Sequence, residues 1–283
     1  IGSGNVDFRL RQTDFSADKN RNGAPWLGML VSEIGTLDRL FIIGSFFRKD
    51  HPLIAQRVRQ AAKRGLKVSA LNPAFDDWQF PVETKYCVPP SEMTLALARV
   101  VRALSESSGQ QISTHLLGLC AEISVDDYSV DIAKSISSGK KCAVWLGNYA
   151  IQHKDASLVH FLAQEIARLS KSSLGILGEA ANSVGGYIAG AVPLGGIEGK
   201  NVVQMLSTPL KAYVLMNFEP ELDLADGNVA VATLKKAEMV AVLSSFKSKS
   251  VLDFADVLLP VAPFAETAGV FVNCEGRAQA FYP

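Results

Sequence analysis

The sequence has no charge imbalance: 28 Lys and Arg stand against 28 Asp and Glu in 283 residues. A chain that works on nucleic acid carries a basic excess, so no nucleic-acid partner is expected. There is no CxxC, and Cys87, Cys120, Cys142 and Cys274 lie far apart. Local spacing therefore builds neither a zinc ribbon nor an iron–sulfur run, and the thiols read as reduced and mostly buried. No apolar run is long enough to span a bilayer. The longest suspicious uncharged stretch, Ala180–Ile197, holds five glycines and Pro193 and reads as loop and turn. Direct membrane insertion is not expected. No secretory leader is read in the first twelve residues, which hold Asp7, Arg9 and Arg11. Ile1 in place of Met suggests a piece of a longer chain.

Motifs of common chemistry are also missing. No GxxxxGK[ST] cradles a phosphate. The position after the first strand reads Gly44-Ser45-Phe46-Phe47-Arg48 rather than GxGxxG, with bulky rings where a dinucleotide needs close backbone approach. No GxSxG elbow and no HExxH occur. His153 and His160 are seven apart and could share a helical face, but capping and packing are the expected roles.

What is present is an apolar chain. Its 48% apolar and 20% charged residues fit a globular protein of about two domains. Strands are expected at 40–43, 66–71, 142–146, 174–177, 212–216, 239–243 and 257–259. Helices are expected at 25–33, 51–64, 92–104, 126–137 and 154–169. Leu40-Phe41-Ile42-Ile43 lacks period-two polarity, as a strand buried on both faces should. Strands alternating with helices argue a doubly wound α/β architecture. Residues 1–23 read as a connector, 24–170 as one α/β domain, and 171–283 as a second.

Ligands of open α/β sheets lie beyond the carboxyl ends of the strands. Gly44, Asn72, Gly147, Asn182 and Asn217 stand there in this reading, and Ser45 adjoins the first. Such residues also form turns. The segment Arg48–Lys67 holds seven basic residues against Asp50 alone. That face could dock an acidic partner or a phosphate, or simply be solvated.

Near the C-terminus, Ala255-Asp256-Val257-Leu258-Leu259-Pro260 leads to Glu266, Gly269 and Asn273-Cys274-Glu275-Gly276-Arg277-Ala278-Gln279. This pattern resembles a signature of the molybdopterin oxidoreductase superfamily. The runs Phe41-Ile42-Ile43-Gly44-Ser45, His51-Pro52 and Lys63-Arg64-Gly65 resemble that superfamily's first crossover. Lys211-Ala212-Tyr213-Val214-Leu215-Met216 to Pro220 resembles a later strand. Within the superfamily, Asn5-Val6-Asp7-Phe8-Arg9-Leu10-Arg11-Gln12 and Ala181-Asn182-Ser183-Val184-Gly185-Gly186 are most similar to the large peripheral-arm, iron–sulfur subunits of NADH:quinone oxidoreductase, respiratory complex I.

The resemblance implies two Rossmann-like αβα domains of the type found as the second and third domains of formate dehydrogenase and DMSO reductase. The second would be incomplete here, with an exposed apolar face or edge and self-association as the consequence. It implies iron–sulfur clusters upstream of this chain and none within it. It also implies other peripheral-arm subunits as partners, and a peripheral place on the cytoplasmic side of the inner membrane. Pterin-binding relatives have Gly-Ser-Asn-Pro where this chain has Gly44-Ser45-Phe46-Phe47, and Asp-Pro-Arg where it has Asn72-Pro73-Ala74. The carboxylate expected to pair with a guanine is gone, so bound molybdopterin is not expected. The vestigial groove would comprise Gly44, Ser45, Asn72, Gly147, Asn182, Gly185, Asn217, Glu266, Asn273 and Arg277. No catalytic residue and no metal ligand are assigned. Glu266, Asn273, Glu275 and Arg277 are expected to close the second domain, with Glu275 and Arg277 alternating on one strand face. The alternative is a working, formate dehydrogenase-like pterin enzyme that binds the pterin dinucleotide.

Overall fold

Strand β1 (Arg39–Ile43) shows how the fold is made. After Arg39 every residue is buried, and alternate side chains enter different cores. Phe41 and Ile43 pack on one face of the sheet, Leu40 and Ile42 on the other. The computed structural model describes residues 2–193 and 199–283.

Two compact units are present. One comprises Ala24–Val184 and Cys274–Gly276, the other Ile1–Gly23, Gly185–Asn273 and Arg277–Pro283. In the first, β1 leads through α1 (Phe47–Asp50) and α2 (Pro52–Ala62) to β2 (Lys67–Asn72) and β3 (Thr84–Cys87). Helices α3 (Met93–Ser108), α4 (Thr114–Cys120) and α5 (Asp127–Ser137) then return the chain to β4 (Cys142–Leu146). Short α6 (Asn148–Ile151) and long α7 (Ala156–Ser170) connect to β5 (Ser173–Ile176). The sheet order is β3-β2-β1-β4-β5, and every pairing is parallel. Helix α2 covers one face through Ile54, Val58 and Ala61, while α3, α5 and α7 cover the other. The strand order therefore reverses between β1 and β4.

The sequence boundary at 170 falls too early, because β5 pairs with β4 and belongs to this sheet. The helix expected at 25–33 does not form. The Trp26 carbonyl accepts from Ile176 N–H (2.7 Å) and Leu27 N–H donates to Cys274 O (2.7 Å), so this backbone is committed to neighbours. Only a 3₁₀ turn, Val31–Thr36, follows.

The boundary between the units falls inside α8 (Ser183–Ile188). The second unit continues with α9 (Val202–Ser207), β6 (Ala212–Met216), α10 (Pro220–Asp223), α11 (Gly227–Leu234), β7 (Met239–Ser244) and β8 (Val257–Pro260). A hairpin of β9 (Gly269–Val272) and β10 (Ala278–Phe281) closes it. Part of the stretch expected as loop, 180–197, is thus helical, and its residues 194–197 lie outside the described ones. Gly186 lets the Phe8 ring approach, since an added Cβ would meet it at 2.6 Å. Residues 2–23 do more than connect. Buried Arg9 pairs with Asp7 (2.8 Å) and Asp18 (2.7 Å), and Asp7 and Asn5 accept from the backbone of Val202 and Lys200.

Strands β6-β7-β8 form a parallel sheet stepping in one direction. Right-handed crossovers that step one way all lie on one face. Tyr213, Leu215, Val240 and Val242 accordingly pack with Leu234, Val251 and Phe254. On the opposite face Val214, Ala241 and Val257 are in register, as are Met216, Leu243 and Leu259. That face is open, with Val214 58% and Met216 64% exposed.

Candidate functional site

The crevice of an open α/β sheet lies where strand order reverses, here at the carboxyl ends of β1 and β4. Gly44, Ser45, Asn72 and Gly147 do meet there. Asn72, at the end of β2, accepts from Ser45 N–H through Oδ1 (2.8 Å) and donates through Nδ2 to Ser45 O (2.7 Å). Gly44 N–H donates to Leu71 O (2.9 Å) and Gly147 N–H to Ile43 O (2.9 Å). The amides that would hold a phosphate are therefore already used within the chain.

Space is used as well. Gly44 has φ +61°, and a Cβ there would lie 2.6 Å from Ala150 N. A Cβ on Gly147 would lie 2.3 Å from Ser45 Cβ. These glycines let the chain approach itself. Phe47 is fully buried, with ring centroids 5.5 Å from Trp78, 6.4 Å from Phe80 and 6.4 Å from Trp145. His51 packs beside it at 6.5 Å. Burial holds the His51 imidazole below its ordinary pKa, against the pull of Asp50. Several buried polar atoms here have no hydrogen-bond partner: Ser45 Oγ, Asn148 Oδ1, His51 Nε2 and the indole nitrogens of Trp78 and Trp145.

Beside the crevice a cleft of about 440 Å³ is lined by Pro90, Ser91, Tyr149, Gln152, His153 and Lys154. His153 is buried and structural. Its Nδ1 accepts from Asp155 N–H (3.0 Å), so Nε2 carries the proton donated to Pro90 O (2.9 Å).

The remaining sequence candidates stand on other elements. Asn182 lies in the turn before α8, and Gly185 is within α8. Asn217 follows β6 at φ +52°, donating its N–H to Leu243 O (2.8 Å). Glu266 lies on an exposed 3₁₀ turn. Asn273 and Arg277 close the β9–β10 turn, with Arg277 N–H donating to Asn273 Oδ1 (2.9 Å). Glu275 and Arg277 do not alternate along a strand, because they lie in that turn. The Glu275 carboxylate instead accepts from Val31 N–H (2.6 Å) at the start of the 3₁₀ turn. Ala150, Tyr149 and Asn148 were missed by sequence reasoning. The Gly147-Asn148-Tyr149-Ala150 run directly after a strand was the available signal.

Among the described residues, no group of three or more His, Cys, Asp and Glu could hold a metal ion. Burial raises the thiol pKa of Cys120, Cys142 and Cys274. No described helix is long and apolar enough to cross a membrane.

Comparison with known proteins adds the following. A family model described as molybdopterin oxidoreductase matches residues 1–283. The G subunits of the NADH-quinone oxidoreductases of Mycobacterium bovis and of Mycobacterium tuberculosis are each 39% identical over 74 residues. The match covers 26% of this chain and 9% of each relative, so it spans only a small part of their length. The formyltransferase/hydrolase complex FhcABCD of Methylorubrum extorquens, solved with methylofuran, contains a chain similar in fold. The TM-score is 0.57 at 13% identity, over 90% of this chain and 71% of that one.

Proposed function

The chain belongs to the molybdopterin oxidoreductase family, and from that premise we propose that it is a degenerate member whose role is architectural. In this reading it is part of the large subunit of an NADH-to-quinone electron-transfer complex. It carries no redox centre, supports a cluster-bearing region elsewhere in a longer polypeptide, and contacts other peripheral-arm subunits. Its place is peripheral, on the cytoplasmic side of the membrane that holds the complex. The similarity to the two mycobacterial NADH-quinone oxidoreductase subunits supports this assignment.

One observation carries the loss of cofactor binding: the Ser45 N–H and C=O are both taken by Asn72 at the point where strand order reverses. The test is made on the full-length polypeptide. Acid release followed by pterin fluorescence, with molybdenum measured in the same sample, should find neither in stoichiometric amount. Pterin near one equivalent would overturn the reading.

A second reading keeps a working, formate dehydrogenase-like pterin site. It is favoured by the unpartnered Ser45 Oγ and Asn148 Oδ1, polar atoms that a ligand could satisfy. The same measurement decides it.

A further inference from the structure

Helix α2 packs on the sheet and on the 3₁₀ turn Val31–Thr36, where Arg64 lies against Gly35, and its remaining face is in solvent. Its inward side, Ile54, Ala55, Val58 and Ala61, is buried in the core. At 100° per residue, Leu53, Arg57 and half-buried Gln60 share one flank of the helix, and Lys63 and Arg64 follow its last turn. Lys49 lies on α1, separated from α2 by non-helical His51. Lys49, Arg57, Lys63 and Arg64 are all exposed, and none has an ion-pair partner among the described residues. Asp50, the one acid nearby in sequence, accepts from Phe46 N–H (3.1 Å). One turn before Arg57 stands Leu53, 81% exposed, the most exposed large apolar side chain of its unit.

We propose that this α2 face is a docking surface for an acidic protein, with Leu53 entering an apolar pocket rimmed by the partner's carboxylates. At ~1.5 Å per residue Arg57 and Lys63 stand about 9 Å apart along the helix axis, close to a Debye length (~8 Å at physiological salt), so their fields overlap. An exposed apolar anchor with cations along its flank has the anatomy of an interface centre with a charged rim. Nucleic acid is disfavoured by a sequence pI near 7.1. A lipid surface is disfavoured because an interfacial helix inserts an apolar face, and that of α2 is already buried. The proposal does not depend on which reaction the parent assembly performs.

The test uses the full-length protein in its native assembly. A benzophenone amino acid replaces Leu53, and a second sample carries it at Leu119, an exposed control on α4. Irradiation at position 53 should join it to a peptide of another polypeptide that is rich in Asp and Glu. Arg57→Glu with Lys63→Glu should lower the yield at least tenfold, while Arg57→Lys with Lys63→Arg should hold it within twofold. Zero-length carbodiimide coupling of Lys49 and Lys63 to carboxylates reads the same contact on unmodified protein. Crosslinks to lipid, to RNA, to a peptide poor in acids or within the same polypeptide would overturn the proposal. So would a yield at position 53 no greater than at position 119.

Discussion

Asn72 and Ser45 hold each other by two hydrogen bonds, 2.8 and 2.7 Å, between the side-chain amide of one and the backbone of the other. Both residues are buried. Asn72→Ala leaves a buried N–H and a buried C=O unpaired and is expected to cost about 2–4 kcal/mol. Asn72→Asp still offers an acceptor to Ser45 N–H but turns a carboxylate oxygen toward Ser45 O. It should be more destabilising at neutral pH than in acid, where the new carboxyl is protonated and can donate. Urea unfolding at two pH values separates the two variants, and neither should gain nucleotide binding.

Gly147 has φ −97°, which any residue can adopt, so its need for glycine is one of space. Gly147→Ala places a methyl group 2.3 Å from Ser45 Cβ and 2.6 Å from Gly44 O. Overpacking of this kind costs about 1–3 kcal/mol. Calorimetry should show the loss, and Gly147→Ser should be at least as severe.

Glu165 gives a pH signature. Burial pushes its carboxyl up, but the Arg168 guanidinium and the N–H and hydroxyl of Ser113 outweigh that and hold the pKa at about 2. A depressed folded pKa means stability that is present above the ordinary 4.5 and is lost as pH falls toward 2. Glu165→Gln should flatten the stability profile across that window while lowering stability at pH 7. Thermal unfolding followed from pH 7 to pH 2 checks both signs. A variant that retains the full acid slope would contradict the assignment.

The parts of this fold legible in the sequence are those whose burial is local. β1 and β4 read as strands because both faces are buried, and α7 reads as a helix because its apolar stripe is unbroken. β3 was missed: it has four residues between proline-bearing loops, with only Thr84 and Tyr86 turned inward. Helix α11 begins Gly-Asn-Val and has weak intrinsic preference; the Asp226 carboxylate accepting from Val229 N–H (3.0 Å) helps start it. In β9 and β10 neither face is buried, so no alternation marks them. At the site, strand-end glycines were visible, but what fills the space above them was not. The approach of Ala150 to Gly44 is set by how α6 leaves β4, which no spacing in the sequence encodes.

The open face of β6-β7-β8 makes the final prediction. A parallel sheet normally has both faces covered, yet Val214, Met216, Met239, Val257 and Leu259 leave this one apolar and accessible. In water such a face is stabilised by covering itself, at roughly 25 cal/mol per Å² of apolar area removed. In the isolated 283-residue chain a second copy can cover it, so the chain should self-associate as concentration rises. Val214→Asp with Met216→Asp places two charges on that face, where they can remain solvated only in the monomer. Each substitution costs at most about 1 kcal/mol in strand preference, so the unit should still fold. Light scattering behind size exclusion should show the double variant monomeric where the parent chain is not, with circular dichroism unchanged. Equal association by both would mean that another surface brings the copies together, and the exposed residues of the β9–β10 hairpin, Val270 and Phe271, would be the next to substitute.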